Sequence, residues 1–188
     1  MITAGYALSG SFCTFEKSMK EMRKLKDKGF NIVPIMSFNS SATDTRFGKA
    51  VEIKKRIEEI CDNNIIESLV DAEPLGPKKI CDVMVVSPCS ATTIAKIANS
   101  IYATPVTLAV KSHLRNERPV VIGISTNDAL RNSAGNIGRL FNMRNFYFIP
   151  MKQDDYINKP YSIVCDFEKT AETVESALLG KQIQPMLL

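Results

Sequence analysis

The feature that most constrains the fold is an alternation of short apolar, β-branched runs with longer segments of helical period. The clearest run is Asp82–Ser87 (DVMVVS), which is continuously apolar and ends in a Pro-containing turn. Such runs are typical of strands that are covered on both faces of a sheet. Because parallel strands need long, usually helical connections, the repeated strand–helix order favours a parallel sheet. The sequence therefore predicts a single α/β domain over residues 1–188, a three-layer Rossmann-like parallel sheet with helices on both faces.

The other elements follow from the same two periodicities. Further strands are predicted at Thr3–Leu8, Asn31–Met36, Pro119–Ile124 and Phe146–Pro150. Helices are predicted from the stripe Phe15, Met19, Met22 and Leu25 (ending at Gly29), from Phe47, Val51, Ile57 and Ile60, and over Thr93–Ser100, Pro105–His113, Asn136–Met143 and Glu168–Leu179. Residues Ile65–Lys79 are ambiguous: Ile65–Val70 is open to a strand interpretation, and Pro74, Gly76 and Pro77 mark a loop. The tail Gly180–Leu188 is a candidate for packing on a partner.

Composition and charge exclude several functional classes. There are 24 basic and 20 acidic residues, and the densest basic run, Lys17–Lys28, has no interleaved aromatic residue, so nucleic acid is not expected. Five cysteines form no CxxC pair and the lone His113 has no metal-ligand partner at a usable spacing, so no metal site is expected. Without an apolar run of about 18 residues no membrane span is expected, and free thiols favour the reducing cytoplasm.

Small hydroxyl residues follow each predicted strand at the end where ligands bind. Ser9-Gly10-Ser11 follows the first strand and Ser37 follows the second. Pro88–Thr93 (PCSATT) and Ser125–Asp128 (STND) follow the strands at 82–87 and 119–124. In open α/β sheets the ligand lies at the carboxyl ends of the strands, near the point where strand order switches. These loops are therefore predicted to form one polar binding site.

The first of these loops favours a mononucleotide. A phosphate needs backbone N–H groups and hydroxyl donors at a helix N-terminus, which Ser9-Gly10-Ser11 offers ahead of a predicted helix. A GxGxxG motif and an acidic residue after the second strand are both missing, which argues against a nicotinamide dinucleotide. A GxxxxGK[ST] loop is also missing, which argues against Walker-type NTP hydrolysis. FMN, with one terminal phosphate and a flat ring, fits best, although a Ser-Gly-Ser turn is often only a turn.

The chain resembles the flavoproteins that include phosphopantothenoylcysteine decarboxylase, the peptidyl-cysteine decarboxylases and the flavin prenyltransferases. The resemblance rests on the strand–Ser9-Gly10-Ser11–helix opening, on Ser37 and on SPCSATTIAKIANS at Ser87–Ser100. It implies a Rossmann-like sandwich that binds FMN and forms trimers or multiples of trimers. Carried over by position, it implies an FMN site that comprises Ser9, Gly10, Ser11, Phe12, Ser37, Pro88, Cys89, Ser90, Thr92, Thr93 and Ser125.

Departures from that resemblance disfavour the two sister activities. The decarboxylases have an asparagine, and the prenyltransferases a lysine, where this chain has Thr92. The early catalytic histidine of the decarboxylases has no counterpart, since the lone His113 lies on a later predicted helix and is interpreted as structural or at the surface. The prenyltransferase arginine after the strand at 119–124 is replaced by Ser125-Thr126-Asn127. Without these cations a prenyl phosphate loses its main charge partners.

A narrower resemblance links the chain to the B subunits of dipicolinate synthases. It rests on ALSGSFCTF (Ala7–Phe15), ISTNDAL (Ile124–Leu130), NIGRL (Asn136–Leu140) and above all NFYFIPMKQDDYINKPYS (Asn145–Ser162). It implies an oxidoreductase component that acts with an NAD(P)-binding A subunit, oxidising a dihydrodipicolinate-type intermediate to pyridine-2,6-dicarboxylate during sporulation. A non-catalytic assembly subunit and a prenyltransferase- or decarboxylase-like enzyme stay open as alternatives.

A small dicarboxylate substrate requires cationic or N–H donors. The candidates are Lys111, Arg115, Arg131, Arg139, Lys152 and Lys159. Asn127 and Asp128 are the candidate catalytic residues, placed to orient the substrate or take a proton. A turn-forming or helix-capping role for this pair is an equally good interpretation.

Overall fold

The computed structural model describes residues 1–188 and has a seven-stranded sheet as its central layer. The strands are β1 (Thr3–Leu8), β2 (Asn31–Met36), β3 (Val83–Cys89), β4 (Val120–Thr126), β5 (Phe146–Phe148), β6 (Met151–Lys152) and β7 (Ile163–Cys165). The first five strands form parallel pairs, in the order β2-β1-β3-β4-β5. Strand order reverses between β1 and β3, so the crevice at their carboxyl ends is the expected ligand position.

Helices cover both faces of the sheet, as the alternating pattern predicts. They are α1 (Phe15–Asp27), α2 (Phe38–Ala42), α3 (Ala50–Cys61), α4 (Leu69–Ala72), α5 (Ala91–Ala98), α6 (Pro105–Leu114), α7 (Ala134–Phe141) and α8 (Thr170–Leu178). Helices α1, α3 and α8 pack on one face, around a cluster that includes Met22 and Ile57. Helices α4 to α7 pack on the other face, around a cluster that includes Ile94 and Val110. The prediction of a three-layer α/β fold is confirmed.

Local sequence explains where the best-predicted elements begin and end. The strands β1 and β2 have the predicted bounds, and the stripe of Phe15, Met19, Met22 and Leu25 on α1 is buried. The helix α1 ends at Asp27, just before the predicted stop at Gly29, whose φ of 89° lies in the left-handed region that glycine adopts readily.

Two predictions in the region between β2 and β3 are wrong in part. The sequence pattern places Phe47 and Val51 on a buried helical stripe, but they are 45% and 71% exposed. Helix α3 begins only at Ala50, so Phe47 lies in the preceding loop. The segment Ile65–Val70 forms one isolated bridge, between Ile66 and Ile35, and then enters α4. The strand considered for Ile65–Val70 is therefore reduced to one bridge and the start of a helix.

The sheet also contains an antiparallel hairpin that the sequence pattern does not predict. Strand β7 pairs with β6, and Val164 and Ile163 pair with Ser125 and Thr126 at the carboxyl end of β4. Because β5 takes the first half of the same edge of β4, the hairpin completes that edge. The loop 153–162 between β6 and β7 is thereby held beside the carboxyl ends of the central strands.

The C-terminal tail packs on its own chain. Met151 donates its N–H to Met186 and accepts a hydrogen bond from the N–H of Leu188. The Gln182 side chain bonds both the N–H and the C=O of Phe148, at 2.7 Å each. The tail therefore covers the β5–β6 edge within the chain, while Leu187 and Leu188 stay exposed, so packing of the tail on a partner stays a prediction. No helix in the structure is long and apolar enough to cross a bilayer.

Candidate functional site

A cavity of about 750 Å³ opens at the carboxyl ends of β1 to β4. It lies at the switch in strand order, and its volume is in the range of small-molecule and cofactor sites. Its lining includes Gly10, Ser11, Phe12, Ser37, Ser90, Thr92, Thr93, Ser125 and Asn127 among the predicted residues. The structure therefore brings together residues from four loops that are distant in the sequence.

Hydroxyl groups join these loops to one another. The Ser9 hydroxyl donates to the Pro88 carbonyl at 2.9 Å and accepts from the N–H of Ser90 at 2.9 Å, which ties the β1 loop to the β3 loop. The Ser11 hydroxyl bonds the carbonyl and hydroxyl oxygens of Ser125, at 3.0 and 2.9 Å, which ties the β1 loop to the β4 loop. Many of the predicted hydroxyls thus already have partners inside the protein.

The loop after β2 is attached in the same way. Ser37 caps α2 by accepting from the N–H of Ser40 at 3.3 Å, and the Ser40 hydroxyl lies 3.0 Å from the Leu8 carbonyl. The N–H of Ser37 itself bonds Leu8, the last residue of β1, at 3.1 Å. These hydrogen bonds therefore hold the β2 loop beside the end of β1.

The β1 loop leaves backbone donors available at the cavity. A short 3-10 turn, Phe12–Thr14, leads directly into α1, and the first N–H groups of such a helical start have no intrahelical acceptor. The N–H groups of Gly10, Phe12 and Cys13 have no acceptor within the chain, and all three residues line the cavity. Donors at the start of a helix attract an anion, so this loop fits a phosphate group.

Three residues of the predicted cofactor set, Ser9, Pro88 and Cys89, do not line the cavity. Ser9 and Cys89 are fully buried, and Pro88 is buried as well. Ser9 and Pro88 hold the β1 and β3 loops together, and Cys89 belongs to the apolar cluster beneath β3. Their small, largely apolar side chains support the cavity floor from inside the protein.

The loop 153–162 forms a wall of the cavity that carries charge. Asp154, Lys159 and Ser162 line it, and Nζ of Lys159 lies 3.3 Å from Oδ2 of Asp154. Burial raises the pKa of Asp154, but hydrogen bonds from Ser162 and Lys159 outweigh that effect and hold the pKa below its usual value. Asp154 is thus an ionised partner for Lys159.

The turn after β4 places only one of the two candidate catalytic residues at the cavity. Asn127 is exposed and lines the cavity. Asp128 does not line it, because its Oδ1 accepts hydrogen bonds from the hydroxyls of Thr126 at 2.6 Å and Ser133 at 2.8 Å. These hydrogen bonds favour the turn-forming alternative for Asp128, and its catalytic role stays a prediction.

Of the six cations proposed as substrate contacts, only Lys159 lines the cavity. Lys111 lies 5.1 Å from the Tyr102 ring, and Arg131 lies 4.2 Å from the Tyr161 ring. Arg115, Arg139 and Lys152 are exposed outside the cavity lining. Among the six candidates, the placement therefore favours Lys159.

Sequence reasoning missed two other cavity cations, Arg46 and Lys96. Arg46 is exposed and lies 4.8 Å from the Phe47 ring, in a loop whose course the sequence pattern does not reveal. Lys96 does have a signal, because it is four residues after Thr92 and so shares its face of α5.

His113 lies inside the protein, away from the cavity. It is 1% exposed, and its Nε2 lies 3.0 Å from the Pro119 carbonyl oxygen. Burial is the main reason why the pKa of His113 falls to about 4. The residue is therefore neutral and structural at neutral pH, in line with the structural interpretation of the sequence.

The fold and sequence comparisons agree with this architecture. Residues 2–179 match the family described as Flavoprotein. The dipicolinate synthase B subunit of Bacillus subtilis (strain 168) is 42% identical over 184 residues, which is 98% of this chain and 92% of that protein. The crystal structure of the dipicolinate synthase B subunit from Bacillus halodurans superposes with a TM-score of 0.92 at 41% identity, covering 100% of this chain and 96% of that one.

A more distant structure shares the fold. The FMN-dependent cysteine decarboxylase SpaF superposes with a TM-score of 0.70 at 19% identity, covering 96% of this chain and 97% of that one. The family match spans nearly the whole sheet and its helices, and the B subunits match over nearly their full length. The chain belongs to the flavoprotein family, in the branch of the dipicolinate synthase B subunits.

Proposed function

We propose that this chain is the FMN-binding B subunit of a dipicolinate synthase. With an NAD(P)-binding A subunit, it takes part in oxidising a dihydrodipicolinate-type intermediate to pyridine-2,6-dicarboxylate during sporulation. The observation that carries the proposal is the cavity at the strand-order switch, where a phosphate-type loop meets a charged wall. Kinship with the dipicolinate synthase B subunits supplies the reaction class. Assembly as homotrimers or multiples of trimers, alongside the A subunit, is part of the same proposal.

The residues present fit FMN. The N–H groups of Gly10, Phe12 and Cys13 would hold the phosphate, since they face no acceptor within the chain. The β3 loop and the start of α5 would border the ribityl chain and ring, through Ser90, Thr92 and Thr93. The Phe12 ring, half-buried at the cavity and 5.2 Å from Phe15, adds an apolar surface.

Aromatising a dihydropyridine removes a hydride and a proton from the ring. Bound FMN would supply a hydride acceptor, and NAD(P) on the partner subunit would supply the final one. The chain's own residues bind, orient and neutralise the substrate. Asn127, which is exposed at the cavity in the β4 loop, would orient it. Asp154 is a poor proton acceptor because its pKa is held low, so the released proton passes to water through the open cavity.

Reconstitution with the A subunit tests this proposal. Flavin is removed from the purified protein, and half of the sample is reloaded with FMN. The flavin-free and the FMN-loaded protein are then each mixed with the A subunit, NAD(P) and the dihydropyridine substrate. Formation of pyridine-2,6-dicarboxylate is followed by its ultraviolet absorbance. We expect product formation to depend on FMN.

Equal rates with and without FMN would contradict the redox role and favour the non-catalytic assembly subunit. Parallel incubations with a prenyl phosphate and with a peptidyl cysteine check the sister activities. We expect no product from either, because the lysine, asparagine and histidine that those relatives use are absent here at the corresponding positions.

A further inference from the structure

The cavity contains more positive than negative charge. Its lining holds Arg46, Lys96 and Lys159, with Asp154 as the only carboxylate. Lys159 is paired with Asp154 at 3.3 Å, and Arg46 lies over the Phe47 ring near solvent. The lining thus carries two units of net positive charge, and Lys96 is the cation that has neither a carboxylate nor an aromatic partner in the chain.

Lys96 is half-buried at the cavity, yet its ammonium makes no ion pair and no hydrogen bond within the chain. It lies on the same face of α5 as Thr92, and helical side chains lean toward the N-terminus of their helix. That direction is toward the cavity, since α5 begins at the carboxyl end of β3. An ammonium group that lacks a counter-ion and faces a cavity can bind an anionic ligand by charge-assisted hydrogen bonds.

The phosphate of FMN has its own donors on a different element. Those donors are the N–H groups at the start of α1, whereas Lys96 lies on α5 and Lys159 lies in the β6–β7 loop. Lys96 is therefore free to bind a second anion, and Lys159 can join it because its ammonium has donors besides the one that faces Asp154. Two cations that approach from separate walls suit a ligand with a carboxylate at each end.

We infer that Lys96 and Lys159 each bind one carboxylate of a planar dicarboxylate, so that the cavity selects dianions over monoanions. Asp154 is a positioning residue, which holds the Lys159 ammonium at the cavity wall until the ligand arrives. Arg46 stands outside this pair, at the exposed rim. The inference rests on the proposed function and adds to it the residues that recognise the substrate class.

Direct binding tests the inference without any turnover. Pyridine-2,6-dicarboxylate and pyridine-2-carboxylate are titrated calorimetrically into FMN-saturated wild type, Lys96→Met and Lys159→Met. Lys111→Met is the matched control, because Lys111 lies at the Tyr102 ring outside the cavity lining. FMN affinity is measured on all four proteins by flavin fluorescence.

We expect the wild type to bind the dicarboxylate more tightly than the monocarboxylate. Each cavity variant should lose about ten- to a hundred-fold in affinity for the dicarboxylate, because it loses one charge-assisted hydrogen bond. The preference for dicarboxylate over monocarboxylate should shrink in both variants and stay unchanged in Lys111→Met. FMN affinity should be unchanged throughout.

Three results would overturn the inference. The first is FMN-loaded wild type that does not bind the dicarboxylate, and the second is a Lys96→Met protein with unchanged dicarboxylate affinity. The third is a Lys96→Met protein that loses FMN instead, which would make Lys96 a phosphate ligand. A wild type that fails to bind FMN rejects the proposed function itself, so the two failures are distinguishable.

Discussion

Replacing Gly10 by alanine separates cofactor binding from folding. The backbone of Gly10 lies outside the left-handed region, and an added Cβ meets only Cε2 of Phe12, at 3.9 Å. The native conformation therefore accepts alanine without strain. A glycine-to-alanine change at such a position stabilises a protein by about 0.4–1 kcal/mol, because the unfolded chain loses freedom. We expect Gly10→Ala to raise the free energy of unfolding by an amount in that range.

The same methyl group enters the cavity where the phosphate donors are. If it displaces one charge-assisted N–H bond, the loss is about 1.5–3 kcal/mol. Since about 1.4 kcal/mol corresponds to a tenfold change in Kd, FMN should bind roughly ten- to a hundred-fold more weakly. The expected variant is thus more stable and binds FMN less well.

Urea denaturation measures the first effect on the flavin-free protein, and fluorescence titration with FMN measures the second. Gly138→Ala is the matched control, because an added Cβ there meets nothing within 4 Å and the residue lies on α7, outside the cavity lining. It should gain stability and keep its FMN affinity. A Gly10→Ala protein whose FMN affinity matches that of Gly138→Ala would refute the assignment of the β1 loop as the phosphate site.

Three further predictions concern the frame around the cavity. Gly123→Ala should lower the free energy of unfolding of the flavin-free protein, measured by urea denaturation, by about 1–3 kcal/mol, because its Cβ would lie 2.6 Å from Oγ of Ser87. An unchanged free energy of unfolding would mean that Ser87 on β3 can move aside without cost. His113 is neutral in the folded chain down to pH about 4 and protonates near pH 6.5 when unfolded, so the unfolding free energy should fall by about 3 kcal/mol from pH 6.5 to 4. His113→Gln should flatten that loss, and parallel pH curves would contradict the burial argument. Cys13 is the one exposed thiol, and burial raises the pKa of Cys61 and Cys81 to about 12, so a thiol reagent should label one cysteine per chain. Bound FMN should slow this labelling, because Cys13 lines the cavity. A labelling rate that FMN does not change would argue against FMN binding beside Cys13.

The sequence predicts the parallel part of the sheet because each of its strands has a recognisable pattern of its own. β1, β2, β3 and β4 are apolar runs buried on both faces, so each is visible without knowledge of its neighbours. The hairpin β6–β7 is different, since strands of two and three residues carry no detectable period. Only the tertiary pairing with the carboxyl end of β4 defines them.

The candidate site is predictable in part for the same reason. The rule that ligands bind at carboxyl ends locates the four hydroxyl-rich loops, and eight of the eleven proposed cofactor residues line the cavity. The rule does not say which hydroxyls face the ligand and which join the loops. Ser9 is an example, because its hydroxyl is used between Pro88 and Ser90.

The cationic side of the site depends on tertiary structure. Lys159 reaches the cavity because the β6–β7 hairpin turns back onto β4, and Lys96 because α5 starts at the end of β3. Charge alone does not distinguish these two lysines from the other basic residues of the chain. The placement of the elements makes that distinction.

The most direct test of the proposed cofactor site is whether the purified chain retains FMN. The protein is saturated with FMN, passed through a desalting column, and examined by absorbance in the visible flavin bands and by circular dichroism. We expect one retained FMN per chain, reduced in Gly10→Ala and unchanged in Gly138→Ala. A folded protein that elutes colourless would contradict FMN binding and leave the assembly-subunit interpretation in its place.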